Sequence, residues 1–193
     1  MALLRGKDFM DPDIHIIDTM AALEQVAGRL KSEPALAVDM EADSMFHYKE
    51  KVCLLQIATP ASTFVIDALA LEHLEPLKPV FANRKICKVF HGADYDIRSL
   101  YRDYQMVVQN LFDTELACRF LGYEKSGLDA VLSHYFGILL DKRYQKKDWS
   151  ERPLPKEMIL YAARDTAYLI RLSEILHEEL KRKRRLGWVE EEC

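Results

Sequence analysis

At 193 residues, with 49% hydrophobic and 30% charged positions, the chain has the size and balance of one folded domain with a single core. That composition excludes a disordered or low-complexity chain, and no run is long and apolar enough to span a membrane. A formal net charge of −4 argues, on its sum alone, against a nucleic-acid partner.

Taken in chain order, Met1 to Met10 lacks the apolar run of a signal peptide, so a cytoplasmic protein is expected. Ile14 to Ile17 reads as a short strand, and Asp18 or Thr19 then caps an amphipathic helix over Met20 to Leu30. Three strands follow closely: Ala35 to Met40, Val52 to Thr59 and Thr63 to Ile66. A turn at Pro60-Ala61-Ser62 joins the last two, so the trio reads as an antiparallel meander. The period then changes. A helix is expected over Leu71 to Ala82, a strand at Ile86 to Phe90, a helix from Asp94 to Tyr104 and a short strand over Val107 to Phe112. The remainder reads as helical: Thr114 to Leu121, Leu128 to Phe136, and one long segment from Pro155 to Arg185, with Pro155 in its first turn. A meander followed by alternating helices and strands describes a single α/β domain.

Cys53, Cys87, Cys118 and Cys193 form no C-x-x-C pair, and the first two sit in apolar strand-like runs, which reads as buried, reduced thiol. Basic residues gather in Lys142-Arg143-Tyr144-Gln145-Lys146-Lys147 and in Lys181-Arg182-Lys183-Arg184-Arg185. The first run reads as the wall of a channel for a phosphate backbone, and the second as the decoration of a helix end.

Three motifs carry chemistry together that none carries alone. Asp39 and Glu41 flank Met40 at a strand end, and alternate strand residues share one face. Two carboxylates so placed repel unless a cation lies between them, although a solvated strand end explains the pair equally well. Tyr161 and Asp165 stand four apart on one helical face, with the small Ala162 and Ala163 between them. In His91-Gly92-Ala93-Asp94-Tyr95-Asp96 a strand enters a glycine turn that opens a helix, where capping accounts for an acid as readily as chemistry does. Asp113 or Thr114 caps the next helix, and Trp149 reads as a loop anchor.

In this order the motifs resemble the ribonuclease D family, the tyrosine-type branch of the DEDD superfamily of 3′→5′ exonucleases. Asp39 and Glu41 match its D-x-E motif, Asp96 its second aspartate, with Asp94 as competitor, and Tyr161 with Asp165 its Y-x-x-x-D motif. Cys53-Leu54-Leu55-Gln56-Ile57, Leu111-Phe112-Asp113-Thr114 and Asp148 to Leu154 resemble further family segments, so the likeness covers nearly the whole chain. It implies an RNase H-like fold, with a central mixed sheet flanked by helices, in one domain over residues 1–193. The family usually continues into a helical nucleic-acid-binding domain, so either a minimal exonuclease or a trimmed chain is expected here.

The resemblance also implies the function. Asp39, Glu41, Asp96 and Asp165 would hold two Mg²⁺ or Mn²⁺ ions, about 3.5–4 Å apart in such sites, and Tyr161 would orient the attacking water. The substrate would be an RNA 3′ end, with single-stranded DNA a second possibility, and the product a nucleoside 5′-monophosphate. Backbone near Met40 and Ala42 would approach the terminal sugar, with Met45, His91 or Tyr95 near the base and Lys146 and Lys147 along the strand. For His91 a hydrogen bond that stabilises the turn is an equal reading. Ser99 departs from relatives that carry a stacking aromatic there. The alternatives are a DNA or short-oligonucleotide exonuclease and a catalytically inactive RNA-binding module. A monomer is the favoured state.

Overall fold

The computed structural model describes residues 13–193, so the reading of Met1 to Met10 lies outside the described residues. A six-stranded mixed sheet, with strands in the order β1-β4-β3-β2-β5-β6, forms the middle layer. Strands β2 (Ala35–Ala42), β3 (Val52–Ala58) and β4 (Ser62–Asp67) make the expected antiparallel meander. β1 (Asp13–Ile17) adds parallel to β4, β5 (Cys87–Phe90) parallel to β2, and β6 (Leu111–Asp113) parallel to β5. This is the mixed α/β architecture that the resemblance implies. Among the described residues no helix is long and apolar enough to cross a membrane.

Every residue of β3 is buried, because helices cover both faces of the sheet. On one face Val38, Met40, Leu55, Ile57 and Phe64 pack with Leu23 and Leu30 of helix α1 (Met20–Leu30) and with Leu100 of helix α3 (Asp94–Tyr104). Thr19 is the cap of α1, accepting from the Ala22 amide at 3.4 Å. On the other face lie α4 (Thr114–Leu121), α5 (Leu128–Phe136), α6 (Lys156–Ala167) and α7 (Leu169–Arg182).

Three elements differ from their expected form, each for a local reason. The helix expected over Leu71 to Ala82 is a 3-10 turn, Glu75–Leu77, leading into the four-residue α2, Lys78–Phe81. Pro76 and Pro79 each remove an amide donor, and upstream the Asp67 carboxylate holds a turn by accepting from the amides of Leu69 and Ala70. The strand expected from Val107 starts only at Leu111, because Asn110 adopts a left-handed φ of 57°. The long C-terminal helix is three: α6, α7 and α8 (Leu186–Glu192), broken at Tyr168 and again at Arg184, whose φ is 56°. Pro155 stands just before α6 rather than in its first turn.

All four cysteines are free. Cys53 and Cys118 are buried, whereas Cys87 is half-buried, less enclosed than its apolar run suggests. The basic run at the end of α7 is tied into the fold: Lys183 donates to the Leu121 carbonyl and Arg185 to that of Phe120, satisfying the last carbonyls of α4.

Candidate active site

Asp39 and Glu41 leave the same face of β2, a strand held between β3 and β5 deep in the sheet. Helix α6 crosses that face closely because Ala162 and Ala163, both fully buried, present only methyl groups to β2, β3 and β4. The same helix therefore delivers Asp165 against the strand pair. Carboxylate oxygens of Asp39, Glu41 and Asp165 all lie within 4.8 Å of one another. No hydrogen-bonding economy explains three acids so close, whereas oxygen-only donor sets suit hard divalent cations. The donor set fits such an ion.

Asp96 enters from the first turn of α3, 8% exposed, just outside that tightest group. Its competitor Asp94 points to solvent and pairs with Arg98 at 2.6 Å, so the register puts Asp96 inward. The fields of the four acids overlap. Burial first, and Asp39 second, push the Asp96 carboxyl up to about 8. The Asp165 carboxyl rises to about 8 for the same two reasons. Burial lifts Asp39 to about 6, against the opposing hydrogen bond from the Met40 backbone. Glu41 is raised well above the carboxylate range by burial, then by the charges of Asp39, Asp165 and Asp96.

Tyr161 sits one helical turn before Asp165, its ring edge-on to Tyr144 at 5.7 Å and tilted on Trp149 at 6.0 Å. Trp149 is 1% exposed and packs as the loop anchor it was expected to be. Arg152 pins the loop, donating to the Trp149 carbonyl and forming a two-pronged pair with Asp67. Burial, then Asp165, Glu41 and Asp39, hold the Tyr161 hydroxyl in its protonated form far above neutral pH.

Asp39, Glu41 and Asp165 floor an open cavity of about 440 Å³ that also takes in Met40, His91 and Tyr161, while Asp96 lies outside its lining. Of the basic loop, Lys142 and Gln145 line this cavity, while Lys146 and Lys147 are exposed beyond it. Ala42, Met45 and Tyr95 lie outside the lining; Met45 is 65% exposed, and the Tyr95 hydroxyl donates to Glu50. His91 serves the turn. The Thr114 hydroxyl donates to the Phe90 carbonyl, so His91 Nδ1 is the donor in its 2.9 Å bond to Thr114 Oγ1. Ser99 is buried and offers no stacking surface.

The turn itself is held by Asp113, which accepts from the amides of Gly92 and Ala93 and also caps α4 through those of Glu115 and Leu116. Gly92 has a φ of +79°, and a Cβ there would meet Glu115 Oε2 at 2.8 Å. Three rim acids were not singled out from the sequence: Glu115, Asp129, which pairs with Lys142 at 2.7 Å, and Asp141. Glu115 and Asp129 occupy first helical turns, where the helix dipole alone accounts for an acid, so no local signal marked them.

A carboxylate cleft on this sheet defines a class: the chain belongs to the 3′-5′ exonuclease family, whose model matches residues 14–181. Within that class it is 42% identical over 171 residues to the exosome complex component 10 homolog of Caenorhabditis elegans, covering 88% of this chain and 20% of that protein. Among solved structures it resembles the catalytic core of RRP6 from Trypanosoma brucei, with 33% identity and a TM-score of 0.91 over 100% of this chain and 54% of that one. It also resembles Escherichia coli RNase D, an exoribonuclease involved in structured RNA processing, at 28% identity and a TM-score of 0.89 over 94% of this chain and 48% of that one. The chain spans about a fifth to a quarter of the length of the curated relatives it matches.

Proposed function

We propose that this domain is a metal-dependent 3′→5′ exoribonuclease that releases nucleoside 5′-monophosphates one at a time from RNA 3′ ends. The observation that carries the reading is the convergence of Asp39, Glu41 and Asp165 within 4.8 Å, with Asp96 beside them, from a strand and two helices far apart in sequence. RNA is the preferred substrate because the similar E. coli protein is an exoribonuclease.

In this reading the four acids hold two Mg²⁺ or Mn²⁺ ions, which supply positive charge against the charge growing on phosphorus and make water more acidic. Asp39 and Glu41, fixed to a central strand, set the position of the scissile phosphate. Asp165 shares a rigid helix with Tyr161, so the acid and the hydroxyl keep a constant spacing of one turn. The hydroxyl stays protonated and therefore orients the attacking water by hydrogen bonding rather than removing its proton. Met40 and Ala42 offer backbone groups to the terminal ribose, with Met45, His91 and Tyr95 toward the base. Lys146 and Lys147 continue the cationic wall begun by Lys142.

The test is a time course on 5′-labelled single-stranded RNA with and without Mn²⁺, beside matched DNA and dinucleotide. The expected result is a one-nucleotide ladder shortening from the 3′ end, fastest on RNA, and abolished by Asp165→Asn. Full activity of that variant would falsify the site assignment. Carboxylate-dependent Mn²⁺ binding without any ladder would favour the inactive RNA-binding module.

A further inference from the structure

Gln56 stands in the middle of β3, fully buried, and neither its Oε1 nor its Nε2 has a hydrogen-bond partner among the described residues. Folds rarely keep such a group, because an unpaired buried amide costs stability that an apolar side chain of similar size would not. Its surroundings narrow what it serves. In the sheet register Gln56 lies directly opposite Asp39 on β2 and Val65 on β4, and paired residues project to one face. Its neighbours on that face along its own strand are Leu54 and Ala58. Of these four, Asp39 alone carries polar side-chain atoms.

The layer above supplies no hydrogen bond to the amide among the described residues. Helix α6 brings Ala162 and Ala163 to this face, and the hydroxyl of its buried Thr166 donates to the Ala163 carbonyl at 3.2 Å. The Trp149 indole, also buried without a partner among the described residues, is a donor and can engage only Oε1. The acceptor that the sheet register sets directly beside the Gln56 amide is Asp39.

We propose that Gln56 is a positioning residue: when a cation holds one Asp39 oxygen in the cavity, the Gln56 amide, unpartnered among the described residues, turns so that Nε2–H donates to the other oxygen and fixes the carboxylate. This rests on the exonuclease reading above. A carboxylate on a strand has two soft torsions, and a second hydrogen-bonding contact to a cation ligand fixes them; loss of such contacts weakens metal binding about 10- to 100-fold.

The test uses Gln56→Met and Gln56→Leu, which fill the space and remove the amide. Thermal unfolding in EDTA, Mn²⁺ titration calorimetry and steady-state cleavage of RNA are measured on each. The expected result is an unfolding temperature in EDTA equal to or a few degrees above the parent, because an unpaired amide has gone. Mn²⁺ affinity falls about tenfold or more, and kcat drops while KM for RNA holds. Mn²⁺ affinity and kcat within twofold of the parent overturn the inference. So does a lower unfolding temperature in EDTA for both variants, which would mean that the amide is already paired within the fold. A parent protein that neither binds Mn²⁺ nor shortens RNA overturns the exonuclease reading instead, and is distinguishable from both.

Discussion

At the residue scale, Tyr161 separates what a ring does from what a hydroxyl does. Its ring fills the space between Tyr144 and Trp149, a contact that phenylalanine reproduces, whereas its oxygen faces the acidic cavity. Tyr161→Phe is therefore expected to leave the unfolding temperature and RNA affinity within experimental error of the parent. Cleavage should slow by roughly 10²-fold, the cost of a misplaced reactant. Single-turnover kinetics beside a binding isotherm check it, and equal loss in both would reassign the hydroxyl to substrate binding. Residues of this kind were legible in the sequence because spacing encodes shared faces: two along a strand for Asp39 and Glu41, four along a helix for Tyr161 and Asp165. Gln56 was legible only as part of a family segment. Nothing along the chain shows that it stands across from Asp39, since strand register is a property of the fold.

Among the elements, the strand-to-helix turn at Gly92 carries Asp96, and Asp113 on the neighbouring strand carries the turn. Its carboxylate accepts four amides from two helix starts, at 2.8–3.2 Å. Asp113→Ala leaves those donors in a buried place, and we expect a loss of about 2–4 kcal/mol, more than a single cap contributes. Because the start of α3 moves with the turn, Mn²⁺ affinity should fall as well. Asp94→Ala, at an exposed pair on the same helix, should change stability by less than about 0.5 kcal/mol. Urea unfolding of both variants measures the contrast, and equal stabilities would remove Asp113 from this role. The sequence reading left Asp113 and Thr114 as rival caps. The structure uses both, Asp113 for amides and Thr114 to link His91 to the Phe90 carbonyl. The strands of the meander were legible from their short apolar runs and the turn residues between them. The long C-terminal helix was not resolved into three, because the break at Tyr168 contains neither glycine nor proline and arises from how α6 and α7 lie on the sheet.

Over the whole molecule, two charge systems oppose each other: an acidic floor that needs cations and a basic loop that can meet phosphate despite a net charge of −4. The floor ties stability to pH. Asp39, Asp96 and Asp165 ionise at higher pH in the fold than in the unfolded chain, so between the two ranges the native state binds more protons. Their contribution is complete below about pH 4 and is lost as pH rises through about 6 to 8, so metal-free protein should melt at lower temperature at pH 8.5 than at pH 5.5. Mn²⁺ at about 100 times its Kd should restore about 2.7 kcal/mol. A melting temperature in EDTA that climbs over the same window would contradict the acidic cluster. The second system is the loop from Lys142 to Lys147. The C-terminal basic run is engaged with α4 carbonyls and with Glu178 and Glu179, which leaves this loop as the cationic surface beside the cavity. Lys146 and Lys147 are exposed, so removing them should not disturb the fold. If each meets one phosphate of a single strand, the double alanine variant should weaken RNA binding and flatten the plot of log affinity against log salt by about 1.4, that is about 0.7 per contact. An unchanged slope with the parent's affinity would move the RNA path away from this loop.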